Sequence, residues 1–212
     1  MGMAFSSRTL FLVCCCVLLS MSARSQTVNV CEGNLLADGG FELGPAGGAW
    51  TEYSLNFGTP LCSAAVCGLG GGTGPYEGTY WAWFGGLAAE EESEISQPIT
   101  IPAGNTTTLE FFLEIPLVNQ AGFIWVGIDE AILFEATELD ASTYATYQKV
   151  TLNISGFADG NIHNIWFYGY TEAAAATYTN FFVDAICVRS EGVTEGEGEL
   201  IEGEGELIEG EG

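Results

Sequence analysis

The chain has 212 residues, of which 48% are hydrophobic, 28 are Asp or Glu and only four are Lys or Arg, so its formal charge is −24. Nucleic acids and anionic membrane surfaces are poor partners for such a chain, because it has almost no cations to neutralise phosphates. The 29 glycines and the 12% of aromatic residues favour short strands joined by Gly turns over helices. We therefore expect one all-β domain with additional segments.

Residues 1–25 have the pattern of an export signal. Arg8 precedes the apolar run Leu10–Leu19, which is too short to span a bilayer. Ala23 and Ser25 are small residues at the −3 and −1 positions of a cleavage site before Gln26. The pattern predicts a secreted or cell-surface protein that is not inserted in a membrane after the signal is removed.

Four cysteines follow the export signal, namely Cys31, Cys62, Cys67 and Cys187. An even number of cysteines in an exported chain favours disulfides, and three pairings are possible. Cys62 and Cys67 flank a short loop, so they form the favoured local pair. Cys31 and Cys187 would then join the two ends of the domain.

The domain opens with the segment Asn34–Glu42, which reads NLLADGGFE. Gly39 and Gly40 allow positive φ and a close backbone approach, and Asp38 tolerates the same turn. Glu42 places a carboxylate beside the exposed carbonyls of this turn, which is a ligand set that suits Ca²⁺. The alternative is an ordinary turn with a solvated glutamate.

Short apolar or alternating segments, separated by turn residues, predict nine or ten strands between residues 27 and 190. They include Trp50–Leu55, Tyr80–Phe84, Ile95–Ile101, Leu109–Ile115, Phe123–Ile128, Ala131–Glu135, Val150–Ile154, Ile165–Tyr168 and Phe181–Val188. Their spacing is typical of an antiparallel β-sandwich. The acidic run from Glu90 to Glu94 predicts a solvated turn. From Glu191 to Gly212, repeats of EGEGELI predict a disordered acidic linker or tail.

Four motifs together resemble one family: NLLADGGFE, YWAWFGG, SEISQPITIP and the closing FFVDAICV. They resemble the galactose-binding-like jelly rolls, in particular carbohydrate-binding modules of the family 4, 9, 16 and 22 type and related bacterial surface domains. In such modules the first and last strands are neighbours, which would place Cys31 near Cys187. The resemblance therefore agrees with the pairing favoured above and implies a jelly-roll β-sandwich.

The same resemblance implies a structural Ca²⁺ between the opening turn and the closing strand. Carried over by position, its ligands would be the carboxylates of Glu42 and Asp184 and backbone carbonyls near Asp38 and Gly40. The family usually has a second Asp in the closing motif, where this chain has Ala185. Asp184 lies in an otherwise apolar strand, and a buried carboxylate must be paired, hydrogen-bonded or bound to a metal.

A binding surface is predicted from the aromatic residues of one strand. Trp166, Tyr168 and Tyr170 alternate with apolar residues that would face the core, so their rings would be exposed and would stack on sugars. On another strand, the residues predicted to point outward and add contacts are Glu110, Phe112 and Glu114.

No nucleophile elbow, HExxH motif or catalytic triad is visible in the sequence. We therefore predict a non-catalytic extracellular module that binds carbohydrate or another ligand. The alternative is a structural or adhesive spacer domain of a modular surface protein, in which the aromatic rings would pack under loops.

Overall fold

The computed structural model describes residues 31–174 and 178–192. Ten strands make up the described fold: β1 Thr51–Ser54, β2 Leu61–Ser63, β3 Tyr80–Gly85, β4 Glu91–Thr100, β5 Thr106–Leu117, β6 Gly122–Ile128, β7 Ala131–Thr137, β8 Gln148–Asn153, β9 Ile162–Thr171 and β10 Asn180–Glu191. One helical turn, α1 Ala64–Cys67, follows β2, and two 3-10 turns cover Glu138–Asp140 and Ser155–Phe157. The predicted export signal and the Glu-Gly repeats from residue 193 onward lie outside the described residues.

The strands form two five-stranded antiparallel sheets. The front sheet has the order β1-β4-β9-β6-β7, and the back sheet has the order β2-β3-β10-β5-β8. Their inner faces pack together through large apolar side chains, as where Phe111 of β5 meets Phe167 of β9 edge to face at 5.2 Å. This arrangement confirms the predicted all-β antiparallel sandwich.

Strand alternation explains which residues reach this core. Ile165 and Phe167 of β9 are fully buried, whereas Trp166, Tyr168 and Tyr170 between and beyond them are only half-buried. The same period appears in β5, where Leu109, Phe111 and Leu113 point inward. The alternation therefore places the aromatic residues of β9 on the outer side of the front sheet.

The opening segment is tied to the closing strand β10. The Asn34 side chain donates to the carbonyl of Ile186 at 2.9 Å and accepts from the amide of Val188 at 2.8 Å. Gly39 approaches so closely that a Cβ built on it would lie 2.0 Å from the Ile186 carbonyl oxygen. A side chain at Gly39 would therefore force the two ends of the domain apart.

Both predicted disulfides are present, between Cys31 and Cys187 and between Cys62 and Cys67. The first closes a loop with a sequence separation of 156 residues, and the second closes one of 5. Two bonds of this kind fit an oxidising compartment. Among the described residues, no helix is long and apolar enough to cross a bilayer.

The prediction of a solvated turn at residues 90–94 is wrong. β4 begins at Glu91, whose side chain is buried. Its carboxylate accepts hydrogen bonds from the Ser54 hydroxyl and from the backbone and side-chain amides of Asn56. This buried carboxylate is therefore hydrogen-bonded by donors from the end of β1 and the residues that follow it.

Candidate functional site

Four aromatic side chains form a continuous patch on the outer side of the front sheet. We call Phe123 and Trp125 of β6 with Tyr168 and Tyr170 of β9 the aromatic face. The Phe123 ring stacks on Trp125 with centroids 4.3 Å apart, and it lies 6.1 Å from Tyr168 and 5.5 Å from Tyr170. All four side chains are half-buried, so each packs against a neighbour and still presents part of its ring to solvent.

The strand register extends this patch into a row that crosses the whole front sheet. The row has one residue on each of the five strands, in the sheet order β1, β4, β9, β6 and β7. These residues are Tyr53, Glu94, Tyr168, Trp125 and Glu135. The indole N–H of Trp125 donates to the Glu135 carboxylate at 2.5 Å. In a second row, Glu92 lies beside Tyr170, and Tyr170 lies beside Phe123. In the first row, two carboxylates therefore flank the adjacent rings of Tyr168 and Trp125.

The phenol groups of the aromatic face are held in their protonated form. Burial, followed by the negative charge of Glu92, raises the pKa of Tyr168 to about 12. The Tyr170 hydroxyl donates to Glu90 at 3.1 Å, and this hydrogen bond raises the pKa of Tyr170. Both hydroxyls are therefore hydrogen-bond donors at neutral pH, and the nearby carboxylates are acceptors.

The chain was compared with protein families, with curated proteins and with solved structures, and only the solved structures gave matches. No protein-family model and no curated protein matches the chain. A solved structure of TmCBM61 in complex with β-1,4-galactotriose has a TM-score of 0.54 at 16% identity, covering 74% of this chain and 99% of that chain. The chain has the jelly-roll fold of this carbohydrate-binding module. The predicted resemblance is thereby confirmed at the level of the fold.

Weaker structural matches include proteins of different kinds. A Stig cyclase, Fisc from Fischerella sp. TAU, has a TM-score of 0.44 at 11% identity, covering 75% of this chain and 97% of its own. A structure of carbohydrate-binding modules from the β-sandwich superfamily has a TM-score of 0.43 at 15% identity, covering 74% of this chain and 63% of its own. A shared fold does not by itself establish a function, so the function must be argued from the site.

Trp166 lies on the same side of β9 as Tyr168 and Tyr170, at the end of the aromatic face. Its ring lies over Gly127, where a Cβ would come within 2.1 Å of the indole, and its N–H donates to the carbonyl of Asp129 at 2.8 Å. Gly127 is therefore needed to make room for the ring. The role of these three residues in sugar binding stays a prediction.

Sequence reasoning missed Phe123 and Trp125, which stand beside Tyr168 in the neighbouring strand. The signal was present, because these two residues alternate with the buried Ile124 and Val126 along β6. Their pairing with β9 depends on strands about forty residues apart in the chain. Local alternation therefore shows which way the rings point, but it does not show that they meet.

The structure does not bring Glu110, Phe112 and Glu114, which were predicted to point outward and add contacts, together with the aromatic residues of β9. They lie on β5, in the back sheet, on the other side of the sandwich. Glu114 is buried and accepts hydrogen bonds from the backbone N–H and hydroxyl of Thr73. The loop before β3 thus covers this carboxylate, and a covering loop cannot be inferred from alternation within one strand.

The two carboxylates predicted to bind calcium accept hydrogen bonds from backbone amides. Glu42 accepts from Thr79 at 2.8 Å and from Tyr80 at 3.0 Å. Asp184 is fully buried and accepts at one oxygen from Tyr76 at 2.8 Å, and at the other from Ala185 at 2.6 Å. Burial raises the pKa of Asp184 to about 8, although these donors act in the opposite direction.

The predicted backbone ligand near Asp38 is also engaged, because its carbonyl accepts from the indole of Trp50 at 3.0 Å and from the amide of Phe41 at 3.1 Å. In residues 31–174 and 178–192, no group of three or more His, Cys, Asp or Glu side chains is placed to hold a metal ion. The amide donors at Glu42 Oε1 and at both Asp184 oxygens compete with a cation for these atoms. The site at Glu42, Asp184, Asp38 and Gly40 stays a prediction, and no role is derived from it.

A separate apolar cleft of about 440 Å³ lies at the end of β3. Its walls include Trp83, the Cys62–Cys67 disulfide and two exposed side chains, Phe57 and Val66. The indole N–H of Trp83 donates to the side-chain oxygen of Asn180 at 2.9 Å, and the half-buried ring lines the cleft. Because the cleft also has an exposed aromatic side chain, a variant in the cleft can serve as a control for variants in the aromatic face.

Proposed function

We propose that this chain is a non-catalytic module that binds a neutral oligosaccharide or polysaccharide on the aromatic face. The observation that carries the proposal is the row of Tyr53, Glu94, Tyr168, Trp125 and Glu135 across five neighbouring strands. The apolar C–H faces of sugar rings pack on aromatic rings, and sugar hydroxyls donate to carboxylates. A pair of adjacent rings flanked by carboxylates matches both needs along one line.

The dimensions and charge of the row narrow the ligand class. Five strands spaced by about 4.8 Å give a row about 19 Å long, which suits several consecutive sugar units. Glu92, Glu94 and Glu135 make the surface negative, so a strongly anionic glycan would be repelled. Neutral glycans are therefore the favoured class.

The comparison with TmCBM61 selects the first ligand to test, because that protein was solved with β-1,4-galactotriose. The export-signal pattern and the two disulfides support a role outside the cytoplasm, where polysaccharides are accessible.

The proposal is tested by affinity electrophoresis in gels that contain a neutral polysaccharide, with β-1,4-galactan first. Truncating a central aromatic contact usually weakens binding about tenfold or more, so Trp125→Ala and Tyr168→Ala should abolish the retardation of the wild-type band. Phe57→Ala is the matched control, since it removes an exposed ring from the apolar cleft instead. Loss of retardation with Phe57→Ala alone would move the site to that cleft.

The spacer role is supported by one observation, which is that the rings of the aromatic face already pack on one another. This mutual packing would protect a sheet face in a domain with no ligand. If the wild-type chain binds no neutral glycan in solution or in gels, the sugar-binding proposal fails and the spacer role is retained.

A further inference from the structure

Every lysine and arginine outside the predicted export signal lies at one place in the fold. The whole chain has four lysines and arginines, and two of them, Arg8 and Arg24, fall within residues 1–25. The other two, Lys149 of β8 and Arg189 of β10, line a single cavity on the outer side of the back sheet. In a chain with a formal charge of −24, this concentration of the remaining cations is an unusual local environment.

The cavity has a volume of about 270 Å³, and we call it the Arg189 cavity. Its lining includes Arg189, Lys149, Glu77, the Cys31–Cys187 disulfide and the stacked pair of Tyr76 and Phe112. The two stacked rings have centroids 3.8 Å apart, and Tyr76 remains 44% exposed. Small-molecule sites begin at volumes of about 300 Å³, so this cavity suits a ligand about the size of one sugar residue.

Two polar groups of the Arg189 cavity are left without partners. The Arg189 guanidinium makes no hydrogen bond or ion pair with any described residue, whereas Lys149, which lines the same cavity, pairs with Glu110 at 2.8 Å. The Oε1 atom of Glu77 is buried and has no hydrogen-bond partner in the part of the chain that the structure describes. A buried acceptor without a donor is costly, and a ligand hydroxyl would supply that donor.

We propose that the Arg189 cavity binds a carboxylate-bearing sugar residue, a hexuronate. The planar guanidinium of Arg189 pairs with the carboxylate through two parallel hydrogen bonds. The exposed ring of Tyr76 packs against the C–H face of the sugar, and Glu77 accepts from one of its hydroxyls. The site lies on the opposite side of the sandwich from the aromatic face, so it does not depend on the function proposed for that face.

The favoured ligand is a sugar and not an acidic peptide, because the cavity combines one free cation with an exposed aromatic ring and an unpaired acceptor. A glutamate side chain would satisfy Arg189 but would leave Glu77 without a donor. Of the carboxylates that line the cavity, Glu110 is paired with Lys149, and Glu77 is the acceptor proposed for a sugar hydroxyl. Exposed charges more than about 8–10 Å away are largely screened at physiological salt.

Isothermal titration of the mature chain with trigalacturonate tests the proposal, and galactotriose serves as the matched neutral probe. We expect wild-type protein to bind trigalacturonate with an affinity that falls as salt is raised. Arg189→Gln should weaken this binding about tenfold or more, because it removes a charge-assisted bidentate pair. Arg189→Lys keeps the positive charge but lacks the planar guanidinium, so it should give an intermediate loss of affinity.

The front-face variant Trp125→Ala is the control, and it should leave trigalacturonate binding unchanged. Equal binding by wild type and Arg189→Gln would overturn the proposal, as would absence of trigalacturonate binding in wild type. A third probe, the peptide EGEGELIEGEG, identifies the other class of anion: if it binds through Arg189 and trigalacturonate does not, the cavity is a peptide site and the proposal is wrong. Failure of galactotriose binding alone would count only against the aromatic face.

Discussion

The two disulfides should differ greatly in what they contribute to stability. The Cys31–Cys187 bond closes a loop with a separation of 156 residues, whereas Cys62–Cys67 closes one of 5. A cross-link restricts the unfolded chain, and the entropy that it removes grows with the logarithm of loop length. The pair of double variants Cys31→Ala/Cys187→Ala and Cys62→Ala/Cys67→Ala isolates this difference, since neither leaves a free thiol behind.

The chain-entropy relation gives about 5 kcal/mol for the long loop and about 2 kcal/mol for the short one, a difference of about 3 kcal/mol. Whole domains are usually stable by about 5–15 kcal/mol, so loss of the long-range bond would remove a large share of the folding free energy. The short bond also shapes the turn around α1, and its loss should be felt mainly in that loop.

Urea denaturation followed by tryptophan fluorescence measures both variants against wild type at the same pH. We expect the midpoint of the Cys31→Ala/Cys187→Ala variant to fall more than that of the other pair, with the larger shift in free energy of unfolding. If the variant is unfolded without urea, titration from a stabilising sulfate buffer gives the same comparison. Equal losses for the two pairs would refute the argument from loop length.

Three further predictions concern the ends and the turns of the domain. Gly39→Ala should lower the free energy of unfolding by about 3 kcal/mol, because the new Cβ would meet the Ile186 carbonyl. Gly156→Ala should be tolerated, because no atom lies within 4 Å of the new Cβ. Equal urea midpoints for the two variants would contradict this prediction. Hydrogen bonds to two flanking aspartates raise the pKa of His163. The stabilisation of the folded state by protonated His163 is therefore complete below about pH 6.5, and it is lost as the pH rises through the folded-state pKa. Over this pH range, the free energy of unfolding should fall less in His163→Gln than in wild type. Because amide donors face the predicted calcium ligands, the melting temperature should be the same in EDTA and in millimolar calcium, and a clear rise with calcium would support the ion instead.

The elements that could be predicted from the sequence are those with a strong local pattern. The alternation of β5 and β9 was visible as periodicity, and the strands β6 and β7 were predicted as Phe123–Ile128 and Ala131–Glu135, close to their observed bounds. The long-range disulfide was also predictable, because four cysteines allow few pairings and one pair is close in sequence.

What sequence analysis missed depends on contacts between distant segments. Glu91 looked like part of a solvated run, but it is buried because Ser54 and Asn56 supply its hydrogen bonds. Glu114 has the same alternation as Glu110, yet a loop that passes over the sheet covers only the former. Neither the neighbouring strand nor the covering loop is encoded in the local pattern of a strand.

The bond between Cys31 and Cys187 also determines how this domain responds to mechanical force. These two cysteines lie near the ends of the described chain, and Leu35 and Asn34 reinforce the junction by bonding to Val188. Tension applied between the segment before Cys31 and the segment after Gly192 therefore passes through one covalent bridge and a few residues of β10. Among the described strands, the load is confined to the end of β10 and the part of β5 that pairs with it, so the front sheet keeps its shape while the protein is pulled.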